Sequence, residues 1–274
     1  MMTILTYNEH GPKTGDPVLT LHGGIDGDSF EPLMGTLALR QHRLIRYRRR
    51  AFVDPPDTSV VCSIGEEATD AIRILDHALI ESAHLVGHSY GALVAVEIAR
   101  QRPDRVRSLA LLETGLIREI PSAARAADVM APIHRLYMEG KAEAALDAFA
   151  AVVFGAAYAR GQAMVAQSAD DHRRKAANAR GTFDGDLRSL DGWRFTEAVG
   201  GVRHPVLSLV GADSDATFLK TLGFAAISEV RAMVATHLPQ SEHRVIPGVN
   251  HLLHVSAPEA VAEELAAFYG RIAS

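Results

Sequence analysis

Residues 84–100 read HLVGHSYGALVAVEIAR, and no other stretch of the chain narrows the fold as much. An apolar, strand-like run ends in Gly-His-Ser-Tyr-Gly and passes straight into an alanine-rich run of helical character. A serine held in so tight a strand-to-helix turn needs small neighbours, because the backbone on either side must pass close by. Gly87 and Gly91 supply them. Ser89 then stands at a helix N-terminus, where free N–H groups and the helix dipole favour developing negative charge. A plain Gly/Ser turn would give the same five letters, but it would not explain the strand before them and the helix after.

Around this turn, apolar runs of strand length alternate with helix-period segments. Strands are expected at 17–24, 42–47, 83–89, 106–113, 204–212 and 243–248. Helices are expected at 64–79, from Tyr90 to about Arg102, near 223–238, and from Pro258 to about Ile272. Continuous apolar strands separated by helices predict an α/β fold: a mostly parallel sheet covered on both faces. Between Thr114 and Gly201 the strand signal disappears and the sequence turns helical. Such an insertion is most simply placed over the sheet's C-terminal edge, where open α/β sheets bind ligands. The expected division is a core of residues 1–115 and 201–274 and a helical cap of residues 116–200.

Composition excludes several classes. Lys and Arg number 28 against 33 Asp and Glu, a formal charge of −5, which argues against a nucleic-acid partner. Cys62 is the only cysteine, so neither an intrachain disulfide nor a cysteine-based zinc site can form. No apolar stretch approaches the roughly 20 residues of a membrane span, and the first residues lack the pattern of a secretory signal. A cytoplasmic protein with a small-molecule substrate is the expectation. No metal-ligating pair, Walker A motif or dinucleotide fingerprint is present, so no metal and no cofactor is expected.

A serine hydroxyl attacks poorly unless a base removes its proton. Of 13 histidines, His251 in PGVNHLLH lies just past the 243–248 strand, in a loop on the expected catalytic edge. His254 belongs to the segment leading into the last helix and reads as a packing residue, and His88 as a residue packing against neighbouring loops. An oxyanion needs two N–H donors. Tyr90, directly after Ser89, offers one, and Gly24 in the turn LHGG after the first core strand offers the other. His22 then reads as ordering that loop.

Together LHGG, LVGHSYGALVA, PVLSLVGA and IPGVNHLLHVSAPEAVAEEL resemble the α/β-hydrolase fold superfamily, in its serine-nucleophile branch with a helical cap, over nearly the whole chain. The resemblance implies a Ser–acid–His order and leaves three acids open. Members usually place the acid three residues after the glycine corresponding to Gly211, which here reaches Ser214, between Asp213 and Asp215. One branch carries it at the end of the preceding strand, which here is Glu113; the catalytic set favoured is Ser89, His251 and Glu113. The glycine-punctuated loop common after the 42–47 strand is replaced by YRRRAFVDPPDTSV, whose Arg48, Arg49 and Arg50 read as a solvated face. So does DDHRRK at 170–175. Met130, Leu136, Tyr137, Met138, Phe149, Phe154, Tyr158, Phe183, Trp193 and Phe195 are candidates to line an apolar pocket. The activity implied is cofactor-independent hydrolysis of an ester or related acyl bond. Carbon–carbon bond hydrolysis, lyase or cyclase chemistry and a small-molecule receptor stay open on the same fold.

Overall fold

The computed structural model describes residues 5–53, 62–115, 117–155 and 169–273. Seven strands form one sheet: β1 Tyr7–His10, β2 Pro17–Leu21, β3 Arg43–Tyr47, β4 Ala83–His88, β5 Val106–Leu112, β6 Val206–Gly211 and β7 Ser241–Ile246. Their order is β1-β3-β2-β4-β5-β6-β7, with β1 antiparallel to β3 and every other neighbouring pair parallel. Six strands lie within a few residues of their sequence-predicted positions. The short edge strand β1, YNEH, has no long apolar run, because three of its four side chains are only half-buried and the fourth is exposed.

The strands read as continuous apolar runs because each face of the sheet is covered. Leu19, Leu21, Ile45, Leu85, Leu109 and Leu111 pack on one side with helices α1 Ile64–His77 and α2 Tyr90–Gln101. Val18, Leu44, Val86, Ala110, Leu207 and Leu209 pack on the other with Val261, Leu265 and Phe268 of the C-terminal helix, Pro258–Ala273. Adjacent residues such as Leu85 and Val86 thus serve opposite layers, as the two-residue period of a strand requires. Each of the larger side chains among these, removed from water, contributes about 1.5–3 kcal/mol.

The insertion between β5 and β6 is helical: α3 Ala123–Met138, α4 Ala142–Phe154 and α5 Ala169–Arg180, followed by a π-helical turn Gly181–Leu187. Ile133, Leu146, Phe154, Ala179 and Phe183 form its own apolar cluster, which reaches Ile25 and Leu252 on the sheet's loops. Leu190, Phe195, Ala198 and Val199 instead join the core around α2. After β6 come α6 Ser214–Thr221 and α7 Ala226–His237; α6 has no counterpart in the sequence reading. Among the described residues, no helix is long and apolar enough to cross a membrane.

Register sets the stage for the site. Leu21 pairs with Gly87, His88 with Leu112, and Leu112 with Leu209. The chain therefore leaves β2, β4, β5 and β6 at one level, and the segments after them share one edge.

Candidate active site

Ser89 sits between β4 and α2 at φ 52°, ψ −119°, a conformation rarely adopted by a residue with a side chain. Three backbone bonds hold it there. Its N–H donates to Leu112 O at 2.9 Å, and its carbonyl accepts from Ala92 N and Gly115 N at 3.0 Å each. A Cβ on Gly87 would lie 2.4 Å from Gly91 O, and one on Gly91 would lie 2.0 Å from Leu21 O. Both glycines are therefore steric requirements of this turn. Ser89 also occupies the N-cap of α2 without its side chain making a capping bond, whereas Ser63 at the start of α1 accepts from Glu66 N.

Of the three candidate acids, Glu113 is the one that meets His251. Its Oε2 lies 3.1 Å from His251 Nδ1. Its Oε1 accepts from Gly211 N at 2.5 Å and from the Ser214 hydroxyl at 2.6 Å. The carboxylate is fully buried, and these donors replace the water it lost. Ser214, where the family's usual spacing points, thus supports the acid with a hydroxyl. Asp213 is exposed, and Asp215 is occupied elsewhere, accepting from Ile227 N and Ser228 N at the start of α7.

His251 is buried, its ring bordered by Phe154 and Phe218. His88 Nε2 donates to His251 O at 2.8 Å, so the residue before the serine holds the backbone of the distant histidine. His254, its ring tilted against His88 at 4.1 Å and against Phe30 at 4.7 Å between centres, is a packing residue as expected. Burial pushes its pKa down to about 3 and holds that of His88 well below the usual range.

The loop after β2 approaches the elbow closely: a Cβ on Gly23 would lie 2.9 Å from Ser89 Cβ. Gly24, Tyr90, Ser89 and His251 all border one cavity of about 660 Å³. Its remaining wall is mostly apolar and includes Leu93, Ile117, Met130, Phe149 and Phe183. Of the expected pocket residues, Met130, Met138, Phe149, Phe154 and Phe183 line it. Leu136, Tyr137, Trp193 and Phe195 pack elsewhere, and Tyr158 lies outside the described residues. His22 orders its loop as anticipated, its Nδ1 donating to Gly23 O and its Nε2 accepting from Arg49 N. Burial and the Arg49 charge hold its pKa well below the usual range, which makes it unsuited to a second base.

The arginine run is not a solvated face. Arg49 is fully buried, with its guanidinium between Glu67 and Asp186, while Arg50 pairs with Asp70 and Arg48 with Asp28. The three charges are neutralised by partners 18 to 137 residues away, which local patterning cannot reveal. The 170–175 stretch does turn mostly to solvent. Among the described residues, no group of three or more His, Cys, Asp or Glu is arranged to hold a metal.

The chain as a whole has relatives. A "Putative carbamate hydrolase RutD" of Variovorax paradoxus (strain S110) is 37% identical over 111 residues, which is 39% of this chain and 41% of that protein. Here and in a second such relative, the match spans only about 40% of the relative's length. A protein of the same name from Shigella flexneri serotype 5b (strain 8401) is 27% identical over 90% of this chain and 89% of its own. Among solved structures, a thermophilic esterase from Thermogutta terrifontis superposes with TM-score 0.70 at 22% identity, covering 98% of this chain and 94% of its own. At that identity the likeness speaks to the fold alone. The model of the Alpha/beta hydrolase family matches residues 18–264, and the chain belongs to that family.

Proposed function

We propose that the protein is a cofactor-independent serine hydrolase that cleaves an ester or related acyl bond of a small, largely apolar substrate. The observation that carries this reading is the buried Glu113–His251 pair, 3.1 Å apart, whose histidine borders the same cavity as Ser89. In this mechanism Ser89 Oγ attacks the substrate carbonyl while His251 Nε2 takes its proton and later delivers it to the leaving group. Glu113 fixes the ring through Nδ1–H and stabilises the imidazolium. The Gly24 and Tyr90 N–H groups hold the oxyanion, at the positive end of α2. Water then attacks the acyl-enzyme, with His251 as base, and frees the acid and Ser89.

The insert, residues 116–200 in this reading, acts as the cap that supplies the apolar wall. A cavity of about 660 Å³ falls in the size range of sites that enclose drug-sized ligands. The same apparatus would accept a carbamate carbonyl, the chemistry in the relatives' name, but a bare carbamate would leave most of this volume unfilled. A carbamate bearing an apolar substituent is therefore the second reading. The lone, buried Cys62 is compatible with a reducing cytoplasm.

A fluorophosphonate probe with peptide mapping tests the reading. Stoichiometric labelling at Ser89, abolished in Ser89→Ala, is expected. A folded protein that resists the probe would turn the assignment toward lyase chemistry or ligand reception.

A further inference from the structure

The oxyanion loop, residues 22–25, is held by groups outside the catalytic set. The Arg49 guanidinium lies beneath it: Nε donates to His22 O at 3.0 Å and Nη2 to Gly23 O at 3.3 Å. The same guanidinium grips Asp186 with both ends, Nη1 to Oδ1 at 2.9 Å and Nη2 to Oδ2 at 2.8 Å. On the far side of Gly24, Ile25 N donates to Thr182 Oγ1 at 3.2 Å, and Ile25 is itself at φ 78°. Asp186 and Thr182 belong to the insert's π-helical turn. Phe52 and Tyr90 flank the guanidinium, their ring centres 4.8 and 4.6 Å from it.

The turn is built to dock here. Cβ atoms on Gly181 and Gly185 would lie 2.8 Å from Ala51 O and 2.7 Å from Ala51 Cβ, so only glycines let it sit against residues 50–52. A planar fork that binds a carboxylate with two bonds while serving two carbonyls is specific to arginine; lysine keeps the charge but not the geometry.

We propose that Arg49 is a positioning residue for the oxyanion site, fixing the Gly24 N–H by bracing the two carbonyls before it, and that Asp186 and Thr182 make the insert part of that brace. The proposal rests on the hydrolase reading above. Gly24 lies between two anchored neighbours, so loosening either anchor moves its N–H without touching Ser89, His251 or Glu113.

The test uses Arg49→Lys, Asp186→Asn and Thr182→Val in the full-length protein, with p-nitrophenyl esters and an aryl trifluoromethyl ketone as a mimic of the tetrahedral adduct. Deleting an oxyanion donor outright costs about 10²–10³ in kcat. Displacing one is expected to lower kcat about 10- to 100-fold, with KM within about twofold and ketone affinity falling by the same factor as kcat. Thr182→Val, which keeps shape and removes one hydroxyl, carries the test if the charge variants do not fold. Wild-type ketone affinity and kcat in folded variants would overturn the proposal. So would losses that track only the folded fraction, or a rise in KM alone. Fluorophosphonate labelling of wild-type Ser89 separates the cases: labelled wild type with indifferent variants sinks this inference alone, whereas unlabelled wild type sinks both readings.

Discussion

β2 is flanked in the sheet by β3 and β4, and the turns leaving those two neighbours are built by opposite means. The turn after β4 depends on missing atoms: at Gly87 and Gly91 any side chain would strike backbone. The turn after β3 depends on a large side chain, Arg49, buried and gripped by carboxylates from α1 and the insert. One is a steric solution, whose two glycines lie within five residues of sequence. The other is electrostatic and exists only once distant segments have met. Steric constraints are written where they act, and charge pairing is not.

The largest effect that could break this comparison is at Ser89. Ser89→Ala is expected to lower ester turnover by about 10⁴-fold or more with its folded spectrum unchanged, as steady-state assays would show. Retained turnover would strip the elbow of its chemical role. Next, Glu113→Gln should cost about 10³–10⁴ in kcat, while Asp213→Asn, at an exposed residue, stays within about twofold. The reverse result would return the acid to the loop after β6. Gly91→Ala tests the steric half directly. Its Cβ would sit 2.0 Å from Leu21 O, so urea unfolding should reveal a loss of about 4 kcal/mol or more. Gly192→Ala, with open space around it, should stay within about 0.5 kcal/mol.

The electrostatic half has its own signature. Burial raises the Asp186 carboxyl from 3.8 to about 7 and raises Glu67 as well, with Arg49 opposing both shifts. A carboxyl whose folded pKa exceeds its unfolded one holds its proton more tightly when folded. Its contribution to stability is complete below about pH 4 and is lost as pH climbs through about 7. Unfolding free energies between pH 5 and 8 should therefore decline with pH, and Asp186→Asn should flatten that decline. An unchanged slope would show that the cluster sheds no proton in this window. A small effect of opposite sign lies at Leu79, at φ 55° and 91% exposed just past α1, where Ile80 N donates to Leu75 O. Leu79→Gly should raise stability by about 1 kcal/mol, readable as a higher Tm.

These contrasts also explain what the sequence disclosed. Among the described residues, four non-glycine residues have positive φ: Ile25, Leu79, Ser89 and Glu113. Ser89 announced itself through its glycines, and the strands through their apolar runs. Glu113 was legible only as one of three candidates, because its bond to His251 spans 138 residues. The parallel pairing of β5 with β6 carries it to Gly211 and Ser214. Nothing local to Arg49 hinted at Asp186, since both residue types are ordinarily solvated. The family's glycine-punctuated loop is absent at that point, so the resemblance offered no substitute for the missing partner.

The packing of His88 and His254 beside His251 has one further consequence. Burial pushes the His254 pKa down to about 3, and it also holds His88, whose Nε2 is committed to the His251 carbonyl, well below the usual imidazole range. In the proposed mechanism, a hydrogen ion lifted from Ser89 would therefore find no second resting place among these rings. It would wait on His251 until the leaving group claimed it, with the wall behind that ring acting as an insulator.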